Sequence, residues 1–188
     1  MTKRLIVAIS GASGAIYGIR LLEFLREDAE IESHLVLSSA ARLTIPQETD
    51  WRVDDLLALA DVVHKLANIG ASIASGSFVA AGMIVAPCSI KTLSAIAHSY
   101  ANNLISRAAD VQLKEGRPLL LLLRETPLHL GHLRLMVRAA EMGAIIMPPV
   151  PNWYARPGTV DEIVNATVGR ALLRLGFDNE IYHRWSGL

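Results

Sequence analysis

The first residues of this 188-residue chain whose types and spacing could bind a ligand lie in a short glycine-rich segment, residues 10–14 (Ser-Gly-Ala-Ser-Gly). A β-branched run precedes the segment and an amphipathic stretch follows it, which predicts a strand, a loop and a helix. Glycines let the backbone approach a ligand, and the free N–H groups of a helix N-terminus favour a phosphate. The segment is not a GxGxxG dinucleotide motif, and no acidic residue closes the second predicted strand, so NAD is disfavoured. A tight, closely packed turn is the alternative interpretation.

A second candidate ligand-binding segment is Cys88-Ser89-Ile90-Lys91-Thr92, which follows another apolar run. It places two hydroxyls and a lysine where a helix is predicted to begin. Donors at such a position can meet a phosphate or a flavin carbonyl. The alternative is an N-cap serine followed by a solvated lysine. Cys88 is predicted to be a small buried residue, because no base stands beside it to activate a nucleophile.

A charged pair, Arg124 and Glu125, follows five consecutive leucines at 119–123. The leucines predict a central strand, and the pair would then lie in the crevice where α/β proteins bind ligands. A carboxylate beside arginines can take up or return a proton. Glu48 is either a helix-end residue or a second carboxylate of the same site, and the sequence leaves both interpretations open.

Two further polar patterns are less specific. Arg107, Asp110 and Lys114 share one face of a predicted helix, which is typical of a surface salt-bridge stripe. His129 and His132 also share a helix face, but none of the six histidines has the HExxH spacing or a comparable ligand pattern. We therefore predict no metal site.

The elements that must position these residues alternate along the chain. Strands are predicted at residues 4–9, 33–37, 62–64, 83–86, 119–123 and 144–147, with helices near 16–25, 40–46, 92–99, 106–115 and 128–141. Alternation with near-continuous apolar strands predicts an α/β fold of three layers, a parallel sheet with helices on both faces. The polar segments at 10–13, 38, 88–92, 124–125 and 148–154 would then meet at the carboxyl edge of the sheet.

Composition narrows the function classes. Lysine plus arginine and aspartate plus glutamate both number 18, so no global basic field favours nucleic acid or anionic membranes. A single cysteine and no signal-peptide pattern predict a cytoplasmic protein. Residues 66–90 carry no charge, but their polar residues, glycines and Pro87 argue against a transmembrane helix. A hydrophobic fraction of 52% predicts a homo-oligomer that buries the surplus.

Eight short segments together resemble the UbiX flavin prenyltransferase family, formerly labelled as aromatic acid decarboxylases. They occur in the family's order and similar spacing, at residues 10–14, 48–50, 75–78, 87–92, 107–110, 113–115, 124–127 and 148–151. The resemblance runs almost end to end. It implies a Rossmann-like, flavodoxin-like fold, assembly into a dodecamer with sites at subunit junctions, and no metal. We expect one flavoprotein domain over residues 1–188, with a C-terminal tail at 176–188 that contributes to the site or interface.

The resemblance also implies an activity: transfer of a dimethylallyl group from dimethylallyl phosphate to N5 and C6 of reduced FMN. Prenylated FMN would then pass to a UbiD-type decarboxylase, in ubiquinone biosynthesis or aromatic acid degradation. Carried over by position, the FMN contacts are Gly11, Ala12, Ser13, Ser38, Ser89, Ile90, Lys91, Thr92 and Arg124. The donor contacts are Tyr154, Arg170, Arg107, Lys114 and Trp185, and the catalytic residues are Glu125, Glu48, Lys114, Arg124 and Ser13.

The sequence leaves two other functions as alternatives to prenyl transfer. Residues 151–153 (Pro-Asn-Trp) faintly resemble the substrate clamp of FMN-dependent cysteine decarboxylases, although their longer Pro-x-Met-Asn pattern is missing. A flavin carrier without chemistry would bind FMN tightly and consume no dimethylallyl phosphate. That alternative leaves the Arg124–Glu125 pair without a role.

Overall fold

Strands and helices alternate along almost the whole chain in a computed structural model, which describes residues 2–185 and 187. The strands are β1 (Lys3–Ile9), β2 (Ile31–Leu37), β3 (Val62–His64), β4 (Gly82–Cys88), β5 (Leu119–Leu123) and β6 (Ile145–Ile146). The helices are α1 (Ala15–Arg26), α2 (Ser39–Glu48), α3 (Val53–Leu57), α4 (Ile90–Ala97), α5 (Leu104–Lys114), α6 (Leu130–Glu141) and α7 (Val160–Arg174), with a 3₁₀ turn at Ser72–Ala74.

All six strands form one parallel sheet in the order β3-β2-β1-β4-β5-β6. From β1 the chain adds β2 and then β3 on one side of the sheet. It then crosses to the other side of β1 and adds β4, β5 and β6 in that order. The strand order therefore reverses between β1 and β4, which is where open α/β sheets form a ligand crevice. The predicted parallel sheet with helices on both faces is confirmed.

Each face of the sheet supports its own hydrophobic core. In β1, Leu5, Val7 and Ile9 point to the core beneath α1 and α7, whereas Ile6 and Ala8 point to the core beneath α4, α5 and α6. Both sets are completely buried, which explains why the strand sequences are apolar at consecutive positions. Helix α1 packs especially close to the sheet, because a Cβ on Gly18 would lie 2.4 Å from the carbonyl oxygen of Ala86.

The predicted elements differ from the observed ones in three respects. Helices α3 and α7 were not predicted. Strands β1, β2 and β4 extend one or two residues beyond their predicted ends, whereas β6 is one residue shorter at each end. Helix α2 does not stop near Pro46. It continues to Glu48, because a proline this close to the helix end removes only one N–H donor, and Thr49 then bonds the carbonyl of Ile45. No helix among the described residues is long and apolar enough to cross a membrane.

Candidate active site at the carboxyl edge of the sheet

A cavity of about 690 Å³ opens at the carboxyl edge of the sheet. Four of the predicted polar segments reach it, through Gly11 after β1, Ser38 after β2, Ser89 after β4 and Glu125 after β5. The remaining lining residues are Ser39, Ala40, Leu66, Ile90, Lys91, Thr92, Ser94, Ala95, His98, Tyr100, Asn102, Asn103, Ile105 and Ser106. Its size is typical of a cofactor or small-molecule site.

Three helix N-termini, those of α2, α4 and α5, face this cavity. Each begins with a capping side chain: Ser38 accepts from the backbone N–H of Ala41 at 3.0 Å, and Ser89 from that of Thr92 at 3.3 Å. Asn103 caps α5 through a capping box. The first two N–H groups of α2 and of α4 have no partner within their helix, whereas the first three of α5 bond the carbonyl of Leu66 and the side chain of Asn103. The dipoles of α2 and α4 add positive potential at the cavity. The cavity is therefore suited to an anionic ligand such as a phosphate ester.

Ser10 joins the two segments on either side of the crevice. Its hydroxyl is buried, donates to the carbonyl of Pro87 at 2.9 Å and accepts from the backbone N–H of Ser89 at 2.8 Å. Gly11, the next residue, must lack a side chain, because a Cβ there would lie 2.3 Å from the Cβ of Ala40. Ser10 was not predicted as a site residue, although a serine at the end of a buried strand is the signal that would have found it.

Glu48 occupies the place where a phosphate was expected. Its Oε2 accepts from the backbone N–H groups of Gly14 at 2.8 Å and Ala15 at 3.1 Å, at the start of α1. Gly14 takes a left-handed conformation with φ of 97°, which favours glycine. Both N–H groups are therefore engaged by a carboxylate, contrary to the expectation of a phosphate at this helix. Glu48 is at once the last residue of α2 and a neighbour of the glycine segment.

Arg124 and Glu125 emerge from β5, and only Glu125 lines the large cavity. The backbone N–H of Arg124 donates to the carbonyl of Cys88 at 3.0 Å, which holds the pair beside the 88–92 segment. Burial raises the pKa of Tyr17, and the nearby positive charge of Arg124 opposes that increase. Tyr17 therefore lies near Arg124, and its ring lies against Gly14. Sequence reasoning missed Tyr17, because it lies within the helix that follows the glycine segment.

Arg107 and Lys114 do not reach this cavity in their own chain. The Nε of Arg107 donates to the carbonyl of Ala74 at 3.2 Å, on the side of α5 that faces the 3₁₀ turn. Lys114 ends α5 near the amino edge of the sheet and pairs with Glu115. The hydrogen bond and charge of Lys114 hold the pKa of Glu115 below its ordinary value. Arg107 and Lys114 are thus separated from Arg124 and Glu125 within one subunit.

Three of the five predicted donor-binding residues, Tyr154, Arg170 and Trp185, gather beyond β6. Arg170 lines a second cavity of about 200 Å³ together with Met147, Pro148, Val150, Asn152, Ala166, Thr167 and Tyr182. The ring of Tyr154 packs edge-on against Trp185, with 5.3 Å between centroids. The two cavities share no lining residue. The structure therefore brings Tyr154, Arg170 and Trp185 together beyond β6, and none of the three lines the large cavity.

Two other sequence predictions concern reactive side chains. Cys88 is buried, and burial raises the pKa of its thiol, so the prediction of a buried structural cysteine is confirmed.

The rings of His129 and His132 lie 3.6 Å apart between centroids. Within residues 2–185 and 187, no group of three or more His, Cys, Asp or Glu side chains could hold a metal ion.

Comparisons with known proteins agree with this architecture. The family model described as Flavoprotein matches residues 1–172. The flavin prenyltransferase UbiX of Escherichia coli strain K12 is 59% identical over 187 residues, which covers 98% of this chain and 99% of that protein.

Two solved structures are also similar over nearly the whole chain. AnUbiX (PadA1), solved with FMN and dimethylallyl pyrophosphate, is 46% identical with a TM-score of 0.97 and covers 100% of both chains. A dodecameric FMN-dependent UbiX-like decarboxylase from E. coli O157:H7 is 48% identical with a TM-score of 0.95, over 98% of this chain and 100% of the other. This chain therefore belongs to the UbiX family of flavin prenyltransferases, within the wider Flavoprotein family.

Proposed function

We propose that this chain is a flavin prenyltransferase. It transfers a dimethylallyl group from dimethylallyl phosphate to N5 and C6 of reduced FMN, and the prenylated FMN passes to a UbiD-type decarboxylase. The observation that carries the proposal is that the structure holds two separate cavities, one at the carboxyl edge of the sheet that is suited to a phosphate ester and one beyond β6 that is lined by Arg170. The similar protein AnUbiX was solved with both FMN and dimethylallyl pyrophosphate.

The large cavity is the proposed FMN site. Six of the residues predicted for FMN line it, namely Gly11, Ser38, Ser89, Ile90, Lys91 and Thr92. The other three, Ala12, Ser13 and Arg124, lie on the adjoining segments. The N-termini of α2 and α4 would hold the FMN phosphate, while the buried Ser10 hydrogen-bonds both sides of the crevice. Reduced FMN supplies the nucleophilic nitrogen when it is bound.

The proposed donor site lies between Arg124 and the cluster beyond β6. An allylic phosphate ester ionises to a carbocation, so cations must stabilise the departing phosphate and aromatic faces must shield the developing charge. Within residues 2–185 and 187, neither Arg124 nor Arg170 forms an ion pair, so both guanidinium groups are available to an anion. Tyr154 and Trp185 supply the aromatic faces.

Glu125 is the proposed proton acceptor. Closure at C6 releases a proton, and Glu125 is a carboxylate on the wall of the large cavity. One of its oxygens accepts from the backbone N–H of Thr126 at 3.0 Å, which fixes the carboxylate at the end of β5. The phosphate that leaves the donor is the second acceptor available at this place.

Assembly is part of the proposal. Helix α6 exposes Leu130, Leu133 and Val137 along one face, a stripe that a second copy of the chain would cover. We propose a homo-oligomer, a dodecamer like the solved E. coli O157:H7 relative. Arg107 and Lys114, which do not line the cavity of their own chain, would then serve the site of a neighbouring subunit. We also propose one domain over residues 1–188, a tail at 176–188 that completes the site, and a cytoplasmic location.

The test is anaerobic incubation of the protein with reduced FMN and dimethylallyl phosphate, followed by mass spectrometry of the released flavin. A flavin heavier by one C5 unit supports prenyl transfer. A parallel incubation with dimethylallyl diphosphate determines which donor is used. Unmodified FMN from a folded, flavin-loaded protein in both incubations would refute the proposal and favour a cysteine decarboxylase or a flavin carrier.

A pair of variants tests the role of Glu125. Glu125→Gln should retain FMN but slow prenyl transfer, because the amide cannot accept the C6 proton. Glu30→Gln, at the exposed turn before β2, is the matched control and should turn over at the wild-type rate. Equal rates for both variants would remove Glu125 from the chemistry.

A further inference from the structure

Tyr182, in the C-terminal tail, contacts two of the predicted donor-binding residues, Tyr154 and Arg170. Its hydroxyl oxygen lies 2.7 Å from the hydroxyl oxygen of Tyr154, and its ring lies beneath the guanidinium of Arg170, with 5.5 Å from Cζ to the ring centroid. Tyr154 belongs to the loop after β6, and Arg170 belongs to α7. One half-buried side chain therefore connects the loop after β6 to α7.

The direction of the hydrogen bond between the two tyrosines follows from counting hydrogens. The hydroxyl of Tyr154 also lies 3.1 Å from the carbonyl oxygen of His183, and a carbonyl can only accept. The single hydroxyl hydrogen of Tyr154 is thus given to His183, and Tyr182 must donate to Tyr154. The same bond raises the pKa of Tyr182, as expected for a hydroxyl whose protonated form is the donor.

This arrangement affects both side chains that would hold a phosphate. Donation from Tyr182 polarises the O–H bond of Tyr154 and makes Tyr154 a stronger donor when it turns from His183 toward an anion. The face of the Tyr182 ring attracts the guanidinium of Arg170 and limits its rotamers at the rim of the small cavity. Both effects organise the site before an anion arrives.

We propose that Tyr182 is a positioning residue for the prenyl donor, which orients the hydroxyl of Tyr154 and the guanidinium of Arg170 toward its phosphate. The proposal rests on the prenyltransferase function proposed above. Tyr182 acts through the other two side chains. It should therefore alter the affinity for the donor and leave the affinity for FMN unchanged, because it lines the small cavity and not the large one.

The test compares Tyr182→Phe, which removes only the hydroxyl, with Tyr182→Leu, which removes the hydroxyl and the aromatic face. The KM for dimethylallyl phosphate should rise about five-fold in the first variant, since one hydrogen bond is lost. It should rise further in the second, because Arg170 also loses its aromatic neighbour. FMN affinity and the unfolding temperature of Tyr182→Phe should match those of the wild type, because the ring still fills its place.

Asp178→Asn is the matched control in the same tail. It breaks only the exposed ion pair with Arg184, which contributes little, and should leave the KM unchanged. A wild-type KM in Tyr182→Phe and Tyr182→Leu alike would overturn the proposal. So would an equal rise in the Asp178→Asn variant, because the effect would then belong to the tail as a whole.

A binding measurement separates this proposal from the proposed function. Inorganic phosphate is titrated calorimetrically into FMN-loaded protein, in which the FMN phosphate already fills its own site. Weaker phosphate binding in Tyr182→Phe than in the wild type supports the positioning role, and equal binding refutes it. If the wild-type protein makes no prenylated FMN, the proposed function fails while this titration still decides the role of Tyr182 in anion binding.

Discussion

The carboxylate of Glu48 should be a measurable contributor to stability. Glu48→Ala removes the acceptor for the backbone N–H groups of Gly14 and Ala15, which lie 2.8 and 3.1 Å from Oε2. Loss of such a cap costs about 1 kcal/mol, and loss of a negative charge at a helix N-terminus adds about 0.3–1 kcal/mol. The two costs sum to about 1.3–2 kcal/mol. Because Glu48 is exposed, we take the lower part of this range, about 1.3–1.5 kcal/mol. At about 2–4 °C per kcal/mol for a chain of this size, the midpoint of unfolding should fall by roughly 4 °C.

Differential scanning calorimetry on matched variants tests this reasoning. Glu48→Gln keeps one acceptor oxygen without the charge and should lose about half as much as Glu48→Ala. Glu27, the C-cap of the same helix, places its negative charge at the unfavourable end, so Glu27→Gln should be neutral or slightly stabilising. If Glu48→Ala unfolded at the wild-type temperature, the carboxylate would not cap α1. The N-terminus of α1 would then be open to a phosphate after all.

Three further predictions address the flavin cavity, the cysteine and the acid range. Gly11→Ala should weaken FMN binding about ten-fold, measured by flavin fluorescence titration. The added Cβ would lie 2.3 Å from the Cβ of Ala40 and would displace the start of α2. An unchanged affinity for FMN would contradict the close approach of Gly11 to Ala40. Cys88 should resist a thiol reagent in the native protein and react once the protein is unfolded, because burial raises the pKa of its thiol. Rapid labelling of the native protein would contradict the burial of Cys88. Hydrogen bonds from Ser33 hold the pKa of Asp61 below its ordinary value of 3.8. The Asp61 carboxylate therefore adds to the free energy of unfolding at neutral pH, and this contribution is lost as the pH falls through the pKa that Asp61 has in the folded protein. Urea unfolding of Asp61→Asn should therefore vary less with acid pH than the wild type, and parallel curves would refute this.

The sheet and its ligand edge could be predicted from the sequence because the signals are local. Runs such as residues 119–123 are short and apolar at consecutive positions, as strands buried on both faces are. Once the strands are parallel, their following loops must meet at one edge, so the convergence of Gly11, Ser38, Ser89 and Glu125 required no long-range information.

Helix α7 was missed because its buried face is weakly apolar. The side of α7 that packs on the sheet includes Thr167 and Gly169, so the expected stripe of large hydrophobic residues is interrupted. A local signal was nevertheless present: Thr159 accepts from the backbone N–H of Glu162, at the Thr-x-x-Glu spacing that often begins a helix.

The role of Glu48 could not be predicted, because it depends on contacts between distant positions. Glu48 is separated by 33 and 34 residues from the two N–H groups that it binds. No local pattern marks such a contact. The same limit applies to Arg107 and Lys114, whose residue types suggest a phosphate site although α5 directs them away from the cavity of their own chain.

The two cavities are also separate along the polypeptide. Every residue that lines the large cavity lies between 11 and 125, and every residue that lines the small one lies between 147 and 182. Substitutions in residues 147–188 can therefore reshape the small cavity without replacing any residue that lines the large one. A chimera that exchanges residues 147–188 between two relatives would exchange the small cavity as a unit, while Arg107, Lys114 and Arg124, which are also proposed to meet the donor, would stay with the first parent.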